Sequence, residues 1–345
     1  MTTGKVLPIL LVALGILTPI DAGAAAPEEY YKDKTVRFIV GYSSGGGFDT
    51  LTRMVARHIG KHLPGRPATV VDNMPGAGSA LAANHLYNRT KPDGLTIGVW
   101  NGGLITQQVL GTGAGMEFDA RRFHWLGAPV ASNQACALTK ASGITSVEKW
   151  LAEKKPIKIG GTAPGNSTDD VPRVLSVALG LPLQVIDGYK GTADIRLAAE
   201  SGEVGGACWG WETMKSTWPG IQRGEVKVIV QAMAEKHPDL REVPNAIDFA
   251  KTKESRQLIE AGIHDPSAII YLFSLAPETP KDRVQQLRAS FAQTLKDAEF
   301  LAEAEKAKQE IAPISGEEVE KIVSRLFKLE PGLVGKLKEA VTPKR

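Results

Sequence analysis

The sequence lacks most of the features that identify a function quickly. It holds two cysteines and six histidines in 345 residues. Lys and Arg number 41 against 38 Asp and Glu, a formal net charge of +3. An excess that small, spread along the chain, argues against nucleic acid as a partner. Cys136 and Cys208 stand in neither a CxxC nor a metal-binding spacing. One disulfide in an oxidising compartment and two small buried thiols fit them equally well. No phosphate-loop pattern G-x-x-x-x-G-K-S/T occurs, because Gly60 and Lys61 are followed by His62. The glycines at 111, 113 and 115 lack the dinucleotide spacing and do not follow a strand-like run. His58 and His62 are four residues apart, but Arg57 and Lys61 flank them, and a solvated basic helix face is the better reading. No cofactor, metal or catalytic residue is expected.

Long apolar runs are also missing, with one exception. Residues 6–17 are apolar behind Lys5, and small residues follow with Ala-x-Ala choices at 22–24 and 24–26. A charged start, a short apolar run and a small-residue cleavage site predict a signal peptide over 1–26. The run is shorter than the roughly 20 residues needed to span a bilayer. Its removal deletes Lys5 and Asp21, so the charge stays at +3. The expectation is an exported, periplasmic protein.

What the chain does have is a repeated unit of strand, glycine turn and helix. Val36 to Val40 is β-branched and aromatic, Gly45, Gly46 and Gly47 follow, and Leu51, Met54, Val55, Ile59 and Leu63 then recur at helical spacing. A glycine turn feeding a helix N-terminus presents backbone N–H groups and the positive end of the helix dipole, which suits an anion. Ala68 to Val71 leads to a second turn at Asp72 to Ser79, with Ser79 as expected N-cap of a helix. Leu95 to Trp100 is a third strand. Ile157 to Ile159 repeats the unit, running into a turn at Gly160 to Asp170. The alternation predicts parallel sheets covered by helices, with ligands at the carboxyl ends of the strands. Ser146, Thr279-Pro280 and Ser315 are expected helix starts. Trp209 and Trp211 fit an aromatic cleft wall and a lobe core equally. Gly41-Tyr42-Ser43-Ser44-Gly45 matches G-x-S-x-G, so a secreted serine hydrolase using Ser43, with His237 or His264, is the alternative reading.

These residues resemble the extracytoplasmic solute receptors of tripartite tricarboxylate transporters, the Bug proteins. The resemblance rests on the stretch 37–49, on the Asp72 to Gly78 loop, on Lys91 to Ile97, on Gly161 to Ser167, on Tyr189-Lys190-Gly191, on His237 to Pro244 and on Ala276 to Pro280. It implies a type II periplasmic-binding fold: α/β, two lobes, and a ligand cleft between them. The lobes would be 27–129 with 266–345, and 130–265. It further implies capture of a small organic carboxylate by a monomer, and delivery to the large and small integral membrane subunits of a transporter. By position, the ligand contacts would be Ser44, Gly46, Gly47 and Asp49; Gly76, Ala77, Gly78 and Ser79; and Thr162, Asn166, Ser167 and Tyr189. Asp49 would orient loop donors or a bridging water. The sequence departs from the family at Asp169-Asp170, at Asp187-Gly188 before Tyr189, and at the bulky Trp209 and Trp211. These favour a ligand that carries an aromatic ring, an amide or a cationic group over a plain dicarboxylate.

Overall fold

Strand β1 (Thr35–Val40) lies between β2 (Ala68–Asn73) and β3 (Thr96–Asn101) and runs parallel to both. Parallel neighbours need a crossover, and helices α1 (Gly47–Ile59) and α2 (Ala80–Asn88) provide it. Helix α1 buries Leu51, Met54, Val55 and Ile59 against the sheet, which is the stripe read from the sequence. Helix α3 (Gly103–Leu110) follows β3 and ends on Gly111 at φ 64°, so that glycine is a left-handed helix cap and not part of a phosphate loop. The chain is a computed structural model that describes residues 1–2, 30–42, 44–45, 47–113, 115–162, 165–189 and 192–342. The expected signal peptide lies almost wholly outside the described residues, as do Ser43, Gly46, Lys190 and Gly191. Among the described residues no helix is long and apolar enough to cross a membrane.

After β4 (His124–Ala128) the chain passes to a second sheet. That sheet contains β5 (Gln134–Thr139), β6 (Ile157–Gly160), β7 (Leu183–Ile186), β8 (Gly206–Gly210) and β9 (Val226–Gln231). Its helices are α4 (Val147–Leu151), α5 (Ser167–Leu179), α6 (Thr192–Glu200) and α7 (Trp211–Thr217). The return path runs through α8 (Lys253–Ile259), a π-turn at Glu260–His264 and α9 (Asp265–Ala268) to β10 (Tyr271–Leu275). Helices α10 (Lys281–Thr294) and α11 (Ala298–Lys306), strand β11 (Ile314–Ser315), and helices α12 (Gly316–Phe327) and α13 (Pro331–Val341) complete the described chain.

The sheet orders are β11-β4-β10-β3-β1-β2 and β7-β6-β8-β5-β9. The five strands of the second match five of the six in the first, with β6 in the place of β1 and β5 in the place of β10, and β11 is left without a counterpart. The sequence pattern predicts parallel sheets, but both are mixed. Strands β10 and β5 run antiparallel to their neighbours, each arriving from the opposite sheet. Alternation along the chain cannot show that reversal, because it follows from the two crossovers.

Ser146 and Ser315 cap their helices as expected, accepting from the N–H groups of Lys149 and Glu318. Thr279 does not cap: its hydroxyl donates to the Ala276 carbonyl, and Pro280 stands at the cap position. Helix α13 packs against α5, α8 and α3, so the end of the chain touches elements of both sheets.

Cys136 and Cys208 form a disulfide, opposite each other on β5 and β8. It closes a loop across a sequence separation of 72. Loop-closure entropy puts its upper contribution at about 4 kcal/mol. The double variant Cys136→Ala/Cys208→Ala is expected to lose up to that much unfolding free energy, read as a lower urea midpoint, and an unchanged midpoint in non-reducing buffer would contradict a formed bond.

Candidate functional site

In the first lobe the site begins with one carboxylate. Asp49 sits in the first turn of α1 and is buried. It accepts from the Gly45 N–H at 2.8 Å, from Arg53 Nε at 2.9 Å, from Asn73 Nδ2 at 2.9 Å and from the Ser44 hydroxyl at 3.3 Å. Burial alone would raise its pKa, but the hydrogen bonds from Arg53, Gly45 and Asn73 outweigh it and hold the carboxyl well below the usual range. The group is therefore ionised and its acceptors are engaged, so it shapes the turn and is not poised for proton transfer. Asn73 also donates to the Tyr42 carbonyl, which ties the end of β2 to the first turn.

The second turn is strained. Ala77, Gly78 and Ser79 all have positive φ, at 46°, 60° and 78°. Left-handed backbone in non-glycine residues costs roughly 1–3 kcal/mol each and collects at functional sites. Ser79, expected as an N-cap, makes no capping bond; its hydroxyl accepts the Asn101 N–H at 3.0 Å. The left-handed backbone turns the side chain away from the helix and towards β3. Gly41 allows this packing, because a Cβ there would lie 2.3 Å from that of Ser79. Asn101 donates to the Tyr42 hydroxyl, and Tyr42, Phe48 and Tyr271 form a run of ring contacts at 4.2 and 4.5 Å.

The second lobe repeats the arrangement. Asp169, fully buried in the first turn of α5, accepts from the Thr162 N–H at 2.7 Å and from the Thr168 hydroxyl at 3.0 Å. Asn166 donates to the Thr162 hydroxyl. Asp170 accepts from the Gly165 N–H at 3.0 Å. Burial and the neighbouring Asp169 push the Asp170 carboxyl up to about 7, against the lowering effects of that N–H and of Arg173. Tyr189 donates its hydroxyl to Glu203 at 2.6 Å.

A cleft of about 630 Å³ lies where the two lobes meet. Thr162, Asn166 and Ser167 line it, with Asn101, Gln107 and Asp170. Ser44, Gly47, Asp49 and Gly76 to Ser79 are not in its wall. They stand behind it, joined to it through Asn101 and through Tyr271, whose hydroxyl lies beside Gly47. Tyr189 is not in the wall either. Among the described residues lining the cleft none is Lys, Arg or His. Gln107 approaches across the cleft, so that a Cβ on Gly165 would lie 2.8 Å from its amide nitrogen. Gly165 also has φ 89°, so both conformation and space require glycine there. Trp209 and Trp211 are buried in the second lobe; Trp209 stacks on Trp218 at 5.2 Å and also borders the cleft, while Trp211 donates to Asp239.

His58 and His62 bond Glu303 and Asp297 of α11, which makes them part of a helix-to-helix ion-pair network. His237 Nδ1 accepts the Asp239 N–H, and His264 is half-buried, with its pKa pushed down to about 4 by desolvation. Ser44, the described serine of the G-x-S-x-G turn, bonds Asp49. Asn101 opens the Asn101-Gly102-Gly103 turn that the sequence places at the carboxyl end of the third strand, though it is not among the expected contacts. Sequence reading missed Gln107 and Tyr271, which are separated in sequence from the glycine turns.

No family model matches the chain. A UPF0065 protein of Cupriavidus necator is 36% identical over 74 residues, which is 21% of this chain and 22% of that protein. The match thus spans about a fifth of the curated relative's length. A TctC solute-binding protein from Polaromonas superposes with a TM-score of 0.71, covering 89% of this chain and 99% of that one at 20% identity. The periplasmic binding protein BugD gives 0.61, at 21% identity, over 90% of this chain and 98% of its own. The chain has the fold of the TctC and Bug solute-binding proteins. MatC from Rhodopseudomonas palustris, solved with bound malate, shares it at a TM-score of 0.59 and 18% identity over 90% of this chain and 99% of that one. In the TctC-type fold the two α/β lobes face each other across the cleft described above.

Two outcomes follow from the carboxylates. Asp49→Ala removes charge-assisted hydrogen bonds from a buried turn and is expected to cost about 2 kcal/mol in urea unfolding, with faster proteolysis within 41–49; an unchanged midpoint would mean that the turn holds without it. For Asp170 the folded pKa lies above the unfolded value of about 4. The folded protein therefore holds a proton that the unfolded chain releases, and stability falls as pH rises from about 4 to about 7. Asp170→Asn should melt like the parent near pH 4.5 and higher than the parent near pH 8. A variant that melts lower near pH 8 would show that the ionised carboxylate stabilises the lobe.

Proposed function

We propose that this chain is an extracytoplasmic receptor of the TctC and Bug type that closes its two lobes on a small organic carboxylate. The observation that supports this reading best is the cleft itself. It is walled by neutral donors from both lobes and lies between two glycine turns built on the same plan. A carboxylate is held there by amide, hydroxyl and backbone N–H groups, and no fixed cation is needed. Leu110, Val171, Ile263, Ile270, Leu337 and Val341 form the apolar part of the wall and suit the carbon chain of such an acid. The malate in MatC agrees with a ligand of this class.

On this reading residues 1–26 export the chain to the periplasm, the receptor acts as a monomer, and it hands its ligand to the integral subunits of a tripartite transporter. Ligand contacts come from Thr162, Asn166 and Ser167 directly. Ser44, Gly46, Gly47, Asp49 and the 76–79 turn act through the backbone they position, and Tyr189 enters on closure. Binding then selects the closed arrangement by its differential affinity for it. Nothing in the described residues favours the serine hydrolase.

The test is a thermal-shift titration of the protein with malate, adipate and other aliphatic and aromatic acids. A ligand near a hundredfold above its Kd is expected to raise the melting temperature by roughly 5 °C. No shift with any acid, together with ester hydrolysis that disappears in Ser43→Ala, would replace the receptor with the hydrolase.

A further inference from the structure

Among the described residues, the wall of the cleft holds one carboxyl group and no basic side chain. Asp170 lines it, and one of its oxygens takes the Gly165 N–H. The remaining hydrogen-bonding capacity of the carboxyl has no partner among the described residues. The nearby charges do not change this balance. Arg173 lies 3.0 Å from Asp187 and 3.8 Å from Asp169, so it is shared between two other carboxylates. Asp169 spends one oxygen on Thr162 and Thr168. Among the described residues, the cleft wall therefore combines neutral donors with one acid and no lining cation. A dianion placed there meets a like charge in a partly desolvated site, which is unfavourable. A ligand with a positive or N–H-bearing end meets an acceptor that is already fixed in place.

We propose that Asp170 is a specificity-determining residue that selects an acid bearing an ammonium group at its far end over the dicarboxylate of the same length. This rests on the receptor reading above and narrows it. The ligand's carboxylate lies among the neutral donors, its methylenes lie on the apolar wall, and its nitrogen donates to Asp170. Burial already raises the Asp170 carboxyl towards neutrality, so a facing ammonium recovers energy that the empty site lacks, whereas a second carboxylate increases the penalty.

The experiment is calorimetric titration of the purified protein near pH 8, where Asp170 is largely ionised. The probes are matched sets of four to six carbons: succinate, glutarate and adipate against 4-aminobutanoate, 5-aminopentanoate and 6-aminohexanoate. The expected result is at least tenfold tighter binding of the amino acid in at least one set. In Asp170→Asn, which keeps an acceptor for Gly165 without the charge, that preference should fall to within about threefold. Asp170→Ser gives the same comparison if the asparagine variant does not fold. Equal or tighter binding of the dicarboxylate by the parent would overturn the proposal and leave the receptor standing, as would a preference that survives both variants. No binding of any probe would overturn the proposal, and with no shift in the wider acid screen the receptor falls too.

Discussion

The structure depends on a carboxylate placed in the first turn of a helix, where it takes the N–H of the glycine turn before it. Asp49 does this for α1 and Asp169 for α5. Both are buried and both accept from more than one donor. The arrangement satisfies backbone groups that a turn would otherwise leave unpaired, and it sets an acid at the positive end of the helix. It also changes what the helix ends can do. An end already facing its own carboxylate has little positive potential left for a ligand. The described cleft wall correspondingly offers amide and hydroxyl side chains and no basic ones.

The second constraint is the double crossover. Each sheet receives one strand from the other, β5 in one direction and β10 in the other. The two connecting stretches are fastened together, since the Ser132 N–H donates to the Ser267 carbonyl at 2.9 Å. Asn133 is held from the second lobe, its side chain donating to Glu212 and its carbonyl accepting the Trp211 N–H. Motion between lobes must therefore bend a short, hydrogen-bonded pair of connecting segments. That favours a hinge with few accessible arrangements over a loose linker. Helix α13 adds to this, because it touches α3 on one side and α5 on the other.

Much of this was legible before the structure. The first strand, its glycine turn and the apolar stripe of α1 follow from β-branching and helical spacing, and strand β9 matches its apolar run residue for residue. The serine caps at 146 and 315 depend only on local hydrogen bonding and were also readable. What local patterns could not supply is anything set by tertiary contact. Ser79 leaves its expected cap because the turn is left-handed and Asn101 offers a partner from another strand. The Tyr189 hydroxyl turns to Glu203, at a distance of 14 in sequence. Gln107 enters the site from α3, where no motif marks it. Asp169 and Asp170 look alike in sequence, yet one supports a turn and the other faces the cleft, because a helix places successive residues about 100° apart.

That angular separation gives the two acids different freedom to vary. The turn-supporting acid is constrained by the backbone it holds: a Cβ on Gly161 would lie 2.8 Å from both Asp169 oxygens, so neither partner tolerates enlargement. The next position accepts one N–H among the described residues, and it lines the cleft. Changing it alters the charge of the cleft without dismantling the turn. Ligand preference can then be retuned at one position of α5 while the sheet, the crossovers and the paired glycine turns stay as they are. If Asp170 selects the ligand as proposed, the selecting position lies one residue beyond the structural anchor Asp169 on α5.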